Sequence, residues 1–225
     1  DHRVRRFSRE AVLAALDRLV ARGARHLKFV DRSFTLGHGR AVLEWYRERY
    51  APGMLLHLEL VPDRLPAAWR PLLASLPPGA IQIEVGVQSF DPAVAARIHR
   101  RQDPDRTADA IRFLAGEARA HVHADLLIGL PGETLAGIAE GFDRLVGLGP
   151  QEIQVGILKR LRGTPLATPD PAWRALWSEL PPYELIENDS LDFVTLQRLK
   201  RLAHVWEVIH NRGHFPAALP LLWRD

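Results

Sequence analysis

A chain of 225 residues with 47% hydrophobic and 25% charged residues has the make-up of one soluble globular domain, or one domain plus a small appendage. No run of 18 apolar residues is present, so no helix-forming stretch spans a membrane. The net charge is only +3 with arginine far outnumbering lysine, which argues against a broad nucleic-acid surface, and the absence of cysteine excludes disulfides and thiolate metal ligands within these residues.

The opening stretch, Asp1 to Ser8, is polar and basic with no apolar core behind it. It is therefore no secretory signal, a cytoplasmic location is expected, and the missing initiator Met suggests a coding sequence that begins further upstream. Ser8 caps a helix running to about Val20, closed by Gly23. His26 to Val30 reads as a short strand ending at Asp31, and Arg40 to Tyr50 as a helix stopped by Pro52 and Gly53. Met54 to Leu60 is the next strand, Leu65 to Leu76 a helix, and Ala80 to Val87 a third strand. A short helix from Pro92 to Ile98 precedes a longer one, from Asp105 or Thr107 to about Ala118. His121 to Ile128 and Glu152 to Leu158 are strands, with a helix from Glu133 to Gly147 between them.

This repeated strand–helix order predicts an α/β fold with right-handed crossovers. The strands, short and apolar, are expected to be buried on both faces. Five strands and 225 residues are too few for an eight-fold barrel of about 250 residues. A partial (βα) parallel barrel lacking its first strand fits, occupying residues 1–165. After a turn-rich link a C-terminal helical appendage is expected over 166–225, built on a helix from Asp192 to Asn211.

In parallel βα folds ligands sit at the carboxyl ends of strands. Here those ends read Asp31-Arg-Ser-Phe34, Glu59-Leu-Val-Pro62, Val87-Gln-Ser89, Asp125 to Gly132, and Lys159. Nearly all are polar, which points to a ligand site rather than to helix capping alone. Asp125 is the hardest to explain structurally, because a carboxylate on a buried strand needs a partner. Gln88 and Arg100 have plainer alternatives, a turn residue and a solvated helix-end cation.

The block from Glu84 to Thr134 carries Gly86-Val-Gln-Ser89, Arg100 twelve positions after Gln88, and Asp125-Leu-Leu-Ile-Gly-Leu-Pro-Gly132. In that order and spacing it resembles the S-adenosylmethionine (SAM)-binding side of radical SAM enzymes, notably those related to oxygen-independent coproporphyrinogen oxidases and tRNA methylthiotransferases. The resemblance implies polar contacts from Gln88, Arg100 and Asp125 to the ribose and methionine parts of SAM. It also implies that Ile128 and Gly129 lie against the adenine. Asp31 and Ser33 stand where the family holds the SAM amino group, though the usual Gly-Gly-Glu form is absent, and Glu59 is a further candidate.

Further segments extend the likeness across nearly the whole chain: Val4-Arg-Arg-Phe7, Lys28 to Phe34, Gly156 to Pro165, Pro182-Tyr183, and Asn211 to Phe215. They resemble a subgroup of cobalamin (B12)-binding-domain radical SAM proteins with a C-terminal helical domain. That subgroup implies a B12 domain and a Cys-x3-Cys-x2-Cys motif for a 4Fe-4S cluster upstream of Asp1, with an external electron donor and a small-molecule substrate. The cluster ligands are absent from this chain, so the resemblance implies a fragment that is inactive as given and binds SAM weakly at best. Two other readings stay open: a metal-dependent barrel hydrolase using His121, His123 and Asp125 with His57 and His99 nearby, and a non-catalytic scaffold.

Overall fold

The computed structural model describes residues 7–31, 34, 37–164, 166, 168, 171–215 and 221. Its centre is a five-stranded, all-parallel sheet in sequential order: β1 (His26–Lys28), β2 (Leu55–Leu60), β3 (Ile81–Gln88), β4 (His121–Ile128) and β5 (Glu152–Ile157). Helices make the crossovers, as the expected partial barrel requires: α1 (Arg9–Ala21) leads in, followed by α2 (Gly39–Arg49), α3 (Arg70–Ala74), α4 (Pro92–Arg97), α5 (Pro104–Gly116) and α6 (Leu135–Leu148).

Local chemistry sets the helix starts. Ser8, Asp91, Asp103, Thr134 and Asp192 each accept a backbone N–H of the first turn through a side-chain oxygen. The expected start of α5 at Asp105 or Thr107 moves to Pro104, because Asp103 is the cap and proline is tolerated in the first turn. The long helix expected over 65–76 is instead a 3₁₀ turn, Ala67–Trp69, followed by the five-residue α3.

The strands do not meet the expectation of two buried faces. Burial alternates strictly along β2, β3 and β4. Leu56, Leu58, Ile83, Val85, Val122 and Ala124 are at most 1% exposed and pack under the helices. The intervening residues are mostly polar and half-buried. They put His57, Glu59, Gln82, Glu84, His121, His123, Asp125 and Glu152 on one inner face. The period of two was present in the sequence, but the leucines and isoleucines between these groups made each strand look uniformly apolar.

Beyond residue 165 the chain first makes an antiparallel hairpin that the sequence reading missed, β6 (Ala175–Trp177) and β7 (Leu185–Asn188). The expected C-terminal helix follows as α7 (Phe193–Trp206), ending in a π-helical turn over Glu207–Asn211. This segment is welded to the sheet. Ile128, Leu130 and Leu158 from the strand ends share one apolar cluster with Trp173, Leu185, Leu196 and Leu199. At the β5 edge the Asn211 amide donates to the Ile153 carbonyl at 3.0 Å and accepts from the Ile153 N–H at 3.0 Å.

Candidate ligand site at the strand ends

The end of β3 is irregular in a way that builds a site. Its register against β4 shifts between Gly86 and Gln88, and Gln88 takes a left-handed φ of 67°. A glutamine there is uncommon, and bulges of this kind re-aim side chains at the ends of strands. Arg100 arrives by a second irregularity. α4 ends with His99 at φ 56°, its N–H donating to the Ala96 carbonyl while Arg100 N–H donates to the Ala95 carbonyl at 2.9 Å. This is the hydrogen-bond pattern that glycine usually closes at a helix end. It folds the chain back so that the Arg100 guanidinium lies over the β3 backbone.

There the guanidinium donates to the Gly86 carbonyl, and its Nε donates to Gln102 Oε1 at 2.7 Å. Gln102 in turn donates to Thr107 Oγ1 at 2.9 Å. Gly86 is the floor of the arrangement: a Cβ on it would stand 2.7 Å from Gln88 Nε2 and 3.2 Å from an Arg100 terminal nitrogen. Burial lowers the Arg100 pKa, opposed by the attraction of Asp63, Asp125 and Glu59. Those carboxylates keep a cation at this place favourable. Asp125 sits directly across from Gly86 in the adjacent strand.

The structure thus brings together Glu59, Gln88, Arg100 and Asp125, and adds two residues the sequence reading did not single out, Gly86 and Asp63. Asp63 was one residue beyond the strand end marked at Pro62, a position that could have flagged it. Ile128 belongs to the opposite face: it is 1% exposed among the apolar cluster, so only its backbone can face a ligand. Gly129, at φ 94°, is held by the hairpin. A Cβ there would stand 2.4 Å from Leu185 Cδ2, and its carbonyl accepts from Asn188 Nδ2 at 3.2 Å. Its N–H and that of Leu130 donate to Glu133 Oε2 at 2.8 and 3.2 Å. Glu133 is 5% exposed, and burial pushes its carboxyl up to about 7. Asp31 lies exposed at the end of β1, two strands from β3 in the sheet. Ser33 falls outside the described residues.

Further down the inner face the polar groups pair with one another. His57 Nε2 is 2.7 Å from Glu84 Oε1, and Lys28 Nζ is 3.2 Å from the same atom. His121 Nε2 is 2.7 Å from Glu152 Oε1. His123 lies between Asp125 Oδ1 at 3.3 Å and Glu152 Oε2 at 3.1 Å, and the hydrogen bond to Asp125 raises its pKa, against burial. Among the described residues no three His, Asp or Glu side chains converge on a metal-sized position. Apart from this face, a cavity of about 600 Å³ lies between α1 and β1, lined by apolar residues such as Val12, Leu16, Leu19 and Leu27.

A parallel βα sheet with a polar cradle at its carboxyl ends defines the class: a partial (βα) barrel. No family model matches the chain. Over 98 residues it is 32% identical to the oxygen-independent coproporphyrinogen III oxidase of Cereibacter sphaeroides, a match covering 44% of this chain and 21% of that protein. Over 129 residues it is 29% identical to the heme chaperone HemW of Mycobacterium tuberculosis, covering 56% of this chain and 32% of the relative. Among solved structures, the radical SAM methyltransferase TsrM of Kitasatospora setae, with tryptophan substrate and a SAM analogue bound, superposes with a TM-score of 0.65 at 16% identity. That superposition covers 91% of this chain and 47% of TsrM. The chain therefore spans a fifth to a third of the length of the curated relatives named. Its fold is similar to that of a radical SAM methyltransferase, and its sequence is similar to parts of an oxygen-independent coproporphyrinogen III oxidase and a heme chaperone.

Proposed function

We propose that this chain is the SAM-binding part of a radical SAM enzyme. The observation that carries the reading is the cradle over Gly86, where Gln88 and the Arg100 guanidinium share the space a side chain would fill and Asp125 stands opposite. The chemistry of this donor set suits SAM. Arg100 pairs with the methionine carboxylate, Asp125 and Gln88 bond the ribose hydroxyls, and Glu59 takes the ammonium group, with Asp31 and Ser33 as further candidates for it. The backbone of Ile128 and Gly129 faces the adenine, with the Gly129 Cβ position given over to Leu185 of the hairpin. Bound SAM supplies a reactive sulfonium; what this chain supplies is position, charge and a partly dry wall.

The 4Fe-4S cluster is a different matter. Its ligands are thiolates, and the chain has no cysteine, so the residues present do not fit it. The chain alone is therefore inactive in radical chemistry. In the complete gene product an upstream cysteine motif would hold the cluster, with an external electron donor. One structure of TsrM holds cobalamin and a 4Fe-4S cluster. Together with the subgroup likeness this supports a cobalamin-dependent methyl transfer on a small molecule as the whole enzyme's reaction, in a cytoplasmic setting.

The test is titration with SAM of the chain and of its Gln88→Ala, Arg100→Ala and Asp125→Ala variants. Each substitution is expected to weaken binding by about tenfold or more, on the scale of a lost charge-assisted hydrogen bond. Unchanged binding in all three would sink the assignment. For the activity, the complete gene product reconstituted with iron and sulfide without oxygen should form 5′-deoxyadenosine or methylate a substrate.

A further inference from the structure

One buried carboxylate at the strand ends has no part in the SAM contacts proposed above. Asp63 lies in the 3₁₀ turn Pro62–Arg64 that follows β2, and it is 9% exposed. Its Oδ2 accepts the Asp103 N–H at 3.2 Å, while its Oδ1 is sealed from solvent without a hydrogen-bond partner. An anion buried with one oxygen unpaired is costly, and such groups in native proteins call for a use. The cation that it attracts is Arg100.

The Asp103 N–H belongs to the same loop that presents Arg100. That loop is tied at its start by Arg100 N–H to the Ala95 carbonyl and along its length by Arg100 to Gln102 and Gln102 to Thr107. Asp63 fastens its far end to β2. Without the Asp63 charge, the guanidinium would be left to Glu59 and Asp125, both on the sheet's inner face. Drawn toward Glu59, it would leave the place over Gly86 from which it meets the carboxylate at the amino-acid end of the ligand.

We propose that Asp63 is a positioning residue. It anchors the Arg100 loop through the Asp103 N–H, and its buried charge holds the guanidinium back over Gly86, open to the carboxylate of an amino-acid-bearing ligand. This rests on the SAM reading above and adds to it a residue that touches no ligand atom.

Asp63→Asn separates charge from anchorage, since the amide oxygen can still accept the Asp103 N–H. Two ligands separate the ends of the site: SAM, and 5′-methylthioadenosine, which lacks the amino-acid end. Saturation-transfer NMR at millimolar ligand reads both on the 225-residue chain. Asp63→Asn is expected to weaken SAM by about tenfold and leave 5′-methylthioadenosine within about twofold. Asp63→Glu, which keeps the charge, should stay near wild type, and Asp63→Gln should not; this pair carries the test if the Asn variant fails to fold. Equal SAM binding by the charged and neutral variants overturns the inference while the SAM reading stands. So does a parallel loss of both ligands, which would mark a merely structural role. A wild-type chain that takes up neither ligand overturns the SAM reading and this inference with it.

Discussion

Gly86 is where residue chemistry and site meet most closely. Nothing about its backbone demands glycine; the demand comes from above, where Gln88 and Arg100 occupy the volume of a missing side chain. Both contacts are with the ends of flexible side chains, so Gly86→Ala can be absorbed by moving them. The expected result is a protein of near-wild-type stability, within about 1 kcal/mol, that has lost most of its SAM binding. Thermal melting and a SAM titration of the same sample check this, and a variant that binds normally would show that the cradle is not where the ligand sits. Gln88, Arg100 and Asp125 stand out in the sequence as candidates, because their order and spacing form a recognisable pattern around glycines and strand ends, and the structure brings them together. Gly86 and Asp63 were not legible as site residues. Gly86 matters only because His99 turns the chain so that Arg100 returns over it. Asp63 matters only because its burial leaves an anion beside that same loop. Both depend on contacts made fourteen and forty residues away, to Arg100 and Asp103.

At the scale of elements, the turn from β4 into α6 holds a carboxyl that burial keeps near neutrality. The Glu133 pKa rises from 4.5 to about 7 by desolvation, opposed by the Gly129 and Leu130 N–H groups and helped by Asp91. The folded chain thus binds this proton more tightly than the unfolded one. The resulting stabilisation is full below about pH 4.5 and is lost as pH rises through about 7. His123, whose pKa is also raised, acts in the same direction: its contribution is present below its unfolded value and fades as pH rises through the folded one. Stability should therefore fall between pH 5.5 and 8. Glu133→Gln should reduce that fall and be more stable than wild type at pH 8 by about 1 kcal/mol. Melting curves at the two pH values decide it; an unaltered slope would mean that Glu133 is ionised throughout. The clasp at the other edge is equally open to test. Asn211→Ala leaves the Ile153 N–H and carbonyl without their side-chain partner and should cost about 1–3 kcal/mol. A melting temperature unchanged in that variant would show that the clasp contributes nothing. The order of strands and helices was readable from caps and periodicity. The hairpin β6–β7 was not, because each of its strands has only three or four residues, too few for a period to declare itself.

For the whole molecule, the division of labour between the two sheet faces is the main lesson. One face is a continuous apolar core, in which each fully buried leucine or isoleucine contributes about 1.5–3 kcal/mol. The other carries paired His and Glu side chains up to the cradle at the strand ends. A core alone needs no such polar wall; a barrel that admits a charged ligand does. The sequence showed the barrel type and the polar ends but not the polar wall, since its residues alternate with strongly apolar ones. Among the described residues no helix is long and apolar enough to cross a membrane.

The most direct test of the central claim is saturation-transfer NMR of the 225-residue chain with millimolar SAM, run beside the Arg100→Ala, Asp125→Ala double variant. The account predicts transfer to the adenosine protons in the wild type, weak because no cluster completes the site, and its loss in the variant. No transfer to the wild type, or equal transfer to both proteins, would contradict it.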